Sequence, residues 1–219
     1  MNGHVRQRLR VTYARGEPIK YISHLDLARA WERALRRASV PLAYSQGFNP
    51  RPKVTFAAAL PVGVTGRREV MDLILARPVM PLHFARRLAP YLPPGLEVVG
   101  VEAVYHRLPS LQSQVRAVEY RVVVDWQEDR QALEVCVADF LAVETIVRQR
   151  RGKTYDLRPL VESLSVGEAV PGGFALSMRL RQSQRGTARH DEVLDALGLG
   201  GAMRSACRER LVFKGVEPD

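Results

Sequence analysis

Cysteine is nearly absent. Cys136 and Cys207 are the only two in 219 residues, too few for a four-thiolate zinc site or for an iron–sulfur cluster held by this chain alone. Cys136 lies in a helix-like apolar pattern, which reads as a small core residue and not a ligand. The five histidines, at 4, 24, 83, 106 and 190, are scattered and offer no metal-ligand spacing. His83, beside Phe84 and Leu88, reads as structural or surface. There is no Walker A loop, no GxGxxG after a strand, no HExxH and no CxxC, so no metal and no cofactor are expected. No apolar run reaches the ~18–20 residues of a membrane span. The opening MNGHVRQRLR lacks the apolar stretch of a signal peptide, and a cytoplasmic location is the expectation.

Lysine is scarce too: 4 against 29 arginines. Genome composition or heat adaptation produces such a bias, but guanidinium also matches phosphate bidentately. Acidic residues are few in one half only. Residues 1–108 hold 17 Lys/Arg and 7 Asp/Glu, a net of +10, whereas residues 109–219 hold 16 of each sign. The whole excess of the chain, +10 with a pI near 10.2, therefore belongs to the first half and favours an anionic partner.

A hydrophobic fraction of 46% supports an ordinary core. Residues 5–13, VRQRLRVTY, alternate apolar and basic, the pattern of a half-buried strand. Ser23 with Asp26 three residues on resembles a capping box. A helix over 24–38 follows, its stripe made by Leu27, Trp31, Ala34, Leu35 and Ala38. VPLAYS reads as a short strand, KVTFAAALPVGV as an extended apolar segment, 69–76 as a strand, MPLHFARRLAPYL as a helix and LEVVGVEAVY as a strand. The order β-α-β-β-α-β, with its third strand interrupted by loop material, is the split-βαβ unit. Residues 106–114, HRLPSLQSQ, have linker composition.

The second half repeats the order without repeating the sequence. It reads strand 115–126, helix with Leu133, Val137, Phe140 and Leu141 on one face, two strands around RGK (ETIVRQR and TYDLRPLVESLSV), strand GGFALSMRLRQS, helix ARHDEVLDALGL and closing strand RERLVFKGV. The fold expected is α+β, with tandem ferredoxin-like (βαββαβ) domains at 1–108 and 109–219. Right-handed crossovers put both helices of each domain on one face of an antiparallel sheet.

Candidate site residues gather in the basic half. Lys20, Ser23 and His24 stand at the start of the first helix, where free N–H groups and a partial positive charge suit an anion. The bland reading is that Ser23 and Asp26 only cap the helix. Arg29, Arg33, Arg36 and Arg37 lie largely off the apolar stripe, either a solvated face or the floor of a groove. YSQGFNPRPK, residues 44–53, is excluded from a helix and from a central strand by Pro50 and Pro52, and Gly47 and Asn49 suit a turn. Its Tyr44, Gln46, Asn49, Arg51 and Lys53 combine cations with an aromatic, as single-stranded nucleic-acid grooves do. Tyr44 is as much a core as a stacking candidate, and Phe48 leans toward core. RQRRGK with DLRP is a second basic stretch, which a hairpin turn at Gly152 explains equally well.

The stretch KYISHLDLARAWERALRRASVPLAYSQGFNPRPKVTFAAALPVGV resembles the DUF2344 family, also called radical SAM-linked proteins. The likeness rests on the order SHLDL, ERALRRA, AYSQGFNP and PVG, and the rest of the chain, KTYDLRPL included, agrees with it. The family's NPHPK reads NPRPK here, which weakens any catalytic role for a histidine at position 51. AALPVG likewise stands where a proline often precedes the leucine. The resemblance implies a companion of a cobalamin-binding radical SAM protein, encoded beside it or fused to it and often near a ribonuclease of the E/G type. Lacking CxxxCxxC, this chain would be the companion and not the radical SAM enzyme.

Three functions remain open at this point. One is an accessory RNA-binding protein for tRNA or rRNA. Another is a metal-independent endoribonuclease, similar to the CRISPR RNA endonucleases with tandem ferredoxin-like domains, using His24 with Tyr44 or Lys53. The last is a protein–protein adaptor for the radical SAM enzyme, docking through the neutral half.

Overall fold

The computed structural model describes residues 6–105, 108–183 and 186–215. The chain divides into two compact units, Met1–Gln114 and Val115–Asp219. Among the described residues no helix is long and apolar enough to cross a membrane.

The first unit contains β1 (Gln7–Arg15), α1 (His24–Arg37), β2 (Val54–Phe56), β3 (Val64–Leu75), α2 (Pro81–Leu88), β4 (Leu96–Val104) and the single turn α3 (Leu111–Gln114). Every pairing is antiparallel and the strand order is β2-β3-β1-β4. Leu9, Val11 and Tyr13 alternate inward along β1, as a period of two requires. They meet Leu27, Trp31 and Leu35 of α1, Met71, Leu73 and Leu75 of β3, and Phe84 and Leu88 of α2 in one core. Both helices thus cover the same face of the sheet. Tyr13 meets Trp31 edge-on with ring centroids 5.1 Å apart, a favoured aromatic geometry.

The second unit contains β5 (Val115–Asp125), α4 (Arg130–Ala142), a hairpin of β6 (Val147–Arg150) and β7 (Lys153–Asp156), β8 (Val161–Val170), β9 (Gly173–Ser183), β10 (Gly186–Thr187), α5 (His190–Ala196) and β11 (Met203–Phe213). Its strands follow the order β11-β5-β9-β8, with β10 folding back on β9. Asp129 caps α4 by accepting the Ala132 N–H at 2.8 Å, and Cys136 Sγ of α4 lies 3.9 Å from the Leu197 carbonyl just after α5. Both units are therefore ferredoxin-like, with the fourth strand beside the first and the second at the edge. The β6–β7 hairpin is an insertion into the second.

Local departures from the sequence expectations have physical causes. VPLAYS forms isolated bridges, Leu42 to Leu75 and Tyr44 to Pro52, and no strand, because prolines at 41 and 52 interrupt the donor series. KVTFAAALPVGV yields only the three residues of β2. The third strand starts at Val64 and absorbs GVTGRRE. TYDLRPLVESLSV splits at a 3₁₀ turn over Arg158–Leu160, since Pro159 cannot donate to a ladder. The expected linker 106–114 ends in α3, and its Leu108 and Pro109 carbonyls accept hydrogen bonds from Arg8 at 2.9 and 3.2 Å; its first two residues, His106 and Arg107, lie outside the described residues. Phe48 is the clearest correction. It is 110% exposed, because the tip that carries it projects beyond the Ser45–Arg51 hydrogen bonds that close the loop.

Candidate functional site

Ser23 closes the start of α1. Its Oγ accepts the Asp26 N–H at 3.1 Å and donates to the Asp26 carboxylate at 2.8 Å, and that carboxylate also takes a 3.3 Å hydrogen bond from Arg29. A negative charge already sits where the helix dipole favours one. Lys20 is likewise engaged: its Nζ lies 2.8 Å from Glu17 and 5.2 Å from the Tyr21 ring centroid. The hydrogen bond to Glu17 holds the ammonium pKa above its usual value. Lys20 therefore brings a neutralised pair, not a free cation, to this end of the helix. His24 is exposed, and its ring meets Phe56 of β2 edge-on at 5.1 Å.

The arginines lie elsewhere on α1. At about 100° per residue, Arg29, Arg33, Arg36 and Arg37 span an arc of roughly 100° opposite the buried stripe, and His24 falls on the far flank. Arg33, Arg36 and Arg37 are exposed, with no ion pair among the described residues. Arg33 and Arg37, one turn apart, line a cavity of about 430 Å³ with Pro90, Tyr91 and Pro93. Tyr91 was not singled out from the sequence. Its signal there was faint, since APYLPP reads only as the end of a helix.

Residues 44–53 form a compact hairpin at the end of β3. Ser45 N–H donates to the Arg51 carbonyl at 2.9 Å, and the Arg51 N–H returns to Ser45 Oγ at 3.0 Å. Lys53 N–H donates to Ala43, and Ile74 N–H to Lys53, which anchors the base to the sheet. Gly47 adopts φ 124°, a region closed to side-chain-bearing residues. Tyr44 is half exposed, and Gln46, Phe48, Asn49 and Arg51 are all exposed. Val54 and Phe56 turn to the core, so the period of two turns Lys53 to the opposite face.

Three groups result. Phe56 pairs with Met71 while Lys53 is bonded at Ile74, a separation of about 10 Å along the ladder. His24 meets Phe56, three ladder positions along β3 from the backbone of Lys53. Arg33 and Arg37 face the α1 cavity. Tyr44, Phe48, Asn49 and Arg51 are all carried by the hairpin and exposed. Chemically it offers aromatic faces, guanidinium donors and an amide.

The α+β architecture is shared with solved structures of very different sequence. The chain is similar to chains of a Cbf5-Nop10-Gar1 complex (9% identity, TM-score 0.54), an archaeal box H/ACA sRNP Nop10-Cbf5 complex (12%, 0.51) and an H/ACA RNP bound to a substrate RNA containing 2'-deoxyuridine (10%, 0.50). The matches cover 93%, 95% and 94% of this chain but 48%, 49% and 47% of those chains, so it spans about half their length. No curated protein matches. Residues 8–190 match the family described as "Uncharacterized protein conserved in bacteria", and with most of its length inside that match the chain belongs to the DUF2344 family.

Proposed function

We propose that this protein is an RNA-binding accessory factor that presents tRNA or rRNA to a cobalamin-binding radical SAM partner. The observation that carries the reading is the hairpin 44–53, closed at its base by the Ser45–Arg51 hydrogen bonds, with Phe48 fully in water and Arg51 exposed three residues on. An exposed aromatic ring on a loop that also carries a guanidinium suits a stacked base, with the cation on its phosphate. The net +10 of residues 1–108 supplies the long-range attraction. One fold neighbour is an H/ACA RNP bound to a substrate RNA, which is in keeping with this. The radical SAM partner follows from the family resemblance.

The test is fluorescence anisotropy with labelled tRNA and oligouridylate over a salt series. Phe48→Ala is expected to weaken binding roughly 5- to 150-fold, the equivalent of one lost stacking contact, with an unchanged melting temperature. Affinity that ignores salt, or that survives both Phe48→Ala and Arg51→Glu, refutes the reading. RNA cleavage abolished by His24→Ala points instead to the endoribonuclease. Capture of the radical SAM protein without RNA points to the adaptor.

A further inference from the structure

The helix-free sheet face of the second unit is the other place where cations converge. Along β5, Val118 and Tyr120 are buried, and Tyr120 lies 5.0 Å from the His190 ring of α5. Along β9, Met178 and Leu180 are buried. Glu119, Arg179 and Arg181, set between them, therefore point to the face without helices. β8 has a register shift between Val161 and Ser163, and such a bulge re-aims a side chain. Glu162, the extra residue, takes hydrogen bonds from Arg116 at 2.9 Å and Arg181 at 3.2 Å. Glu119 is held in the same way by Arg179 at 2.8 Å and Arg210 at 2.5 Å. Each carboxylate is clamped by two guanidiniums, so each cluster keeps one positive charge in excess.

Beside these clamps lies a cavity of about 800 Å³ lined by Arg116, Arg179, Arg181, Glu162 and Ser163. A guanidinium has five N–H donors, and the clamps use one or two of each. Arg116 and Arg181 keep 53% and 51% of their side-chain surface in water. Their unused donors are prepositioned, which lowers the ordering cost of binding an anion. Among the described residues no aromatic ring lines the cavity, so they offer nothing on which a base could stack. Ion pairs that only held the sheet together would need no surplus of arginine.

We infer that this cleft binds the phosphodiester backbone of RNA, through Arg116, Arg181 and Arg179, without reading its bases. This rests on the RNA-binding reading above but on other residues. Each phosphate contact contributes about 0.7 to the slope of log affinity against log salt for a single strand. The full chain is titrated with oligouridylate over a salt series. Arg116→Gln/Arg181→Gln is expected to lower the slope by about 1.4 and to weaken oligouridylate and oligoadenylate equally. Glu162→Gln, which removes the competing carboxylate, is expected to raise affinity, and this holds the inference to account even if the double variant folds poorly. Wild-type binding with an unchanged slope in the double variant, or no gain from Glu162→Gln, overturns the cleft while leaving the hairpin standing. Displacement of the RNA by adenosine monophosphate but not by inorganic phosphate overturns the backbone assignment in favour of a nucleotide site. No RNA binding by the wild type refutes the functional reading itself.

Discussion

Asp72 offers the sharpest test of how the first unit is held together. It lies on β3 with 3% of its surface exposed, opposite Arg10 in the ladder. Its carboxylate accepts from Arg8 Nε at 2.8 Å and Nη2 at 2.5 Å, and from Arg10 Nε at 3.0 Å and Nη2 at 3.2 Å. The two arginine side chains are 8% and 14% exposed. Asp72→Ala takes this carboxylate away from two guanidiniums that lie largely out of water, a loss of about 3–5 kcal/mol. At about 2–4 °C per kcal/mol for a chain of this size, the transition should fall by roughly 6–20 °C. Replacing all three residues, Arg8→Met/Arg10→Met/Asp72→Leu, removes the charges together and should recover most of that loss. Part is kept, because Arg8 also donates to the Leu108 and Pro109 carbonyls. Trp31 is fully buried in the same unit, so its fluorescence in a Trp126→Phe background reports this unit. A shift under about 2 °C for Asp72→Ala, or a triple variant no more stable than the single one, refutes the argument.

Gly173 opens β9, and a Cβ built there meets the Val124 carbonyl oxygen at 1.9 Å. Gly173→Ala should cost about 1–3 kcal/mol or more, read by chemical denaturation; a silent substitution would show that the β5–β9 pairing gives way easily. Burial opposes ionisation of Glu119, but hydrogen bonds from Arg210 and Arg179 prevail and hold its pKa below the usual 4.5. A depressed carboxylate pKa stabilises the fold fully above the unfolded value and loses that effect as pH falls through the folded one. Melting temperatures should therefore drop from about pH 4.5 downward, and Glu119→Gln should flatten that fall while lowering stability at neutral pH; identical pH profiles would count against the clamp.

Much of the fold was legible in the chain. The period of two in residues 5–13 and the stripe from Leu27 to Ala38 are local patterns, and β1 and α1 follow them. The Ser23–Asp26 cap spans three residues and forms as expected. Two βαββαβ orders and the family signature were equally open to view. The candidate site was less so. Its residues cluster within 34 positions of sequence, but α1 turns His24 and the arginines to different flanks, and the β2–β3 register sets Lys53 apart from Phe56.

The sequence by itself determined which segments pair apolar faces with polar ones, because burial follows a short period that the chain writes out residue by residue. Only the tertiary structure decided what each polar residue meets. Lys20 is matched by Glu17, Phe48 stands in water, and Arg8 finds Asp72 across 64 positions. The arginine clamps on Glu119 and Glu162 join strands up to 91 residues apart. Such contacts depend on strand order and register, which hydrogen bonding between distant segments sets and no local pattern contains.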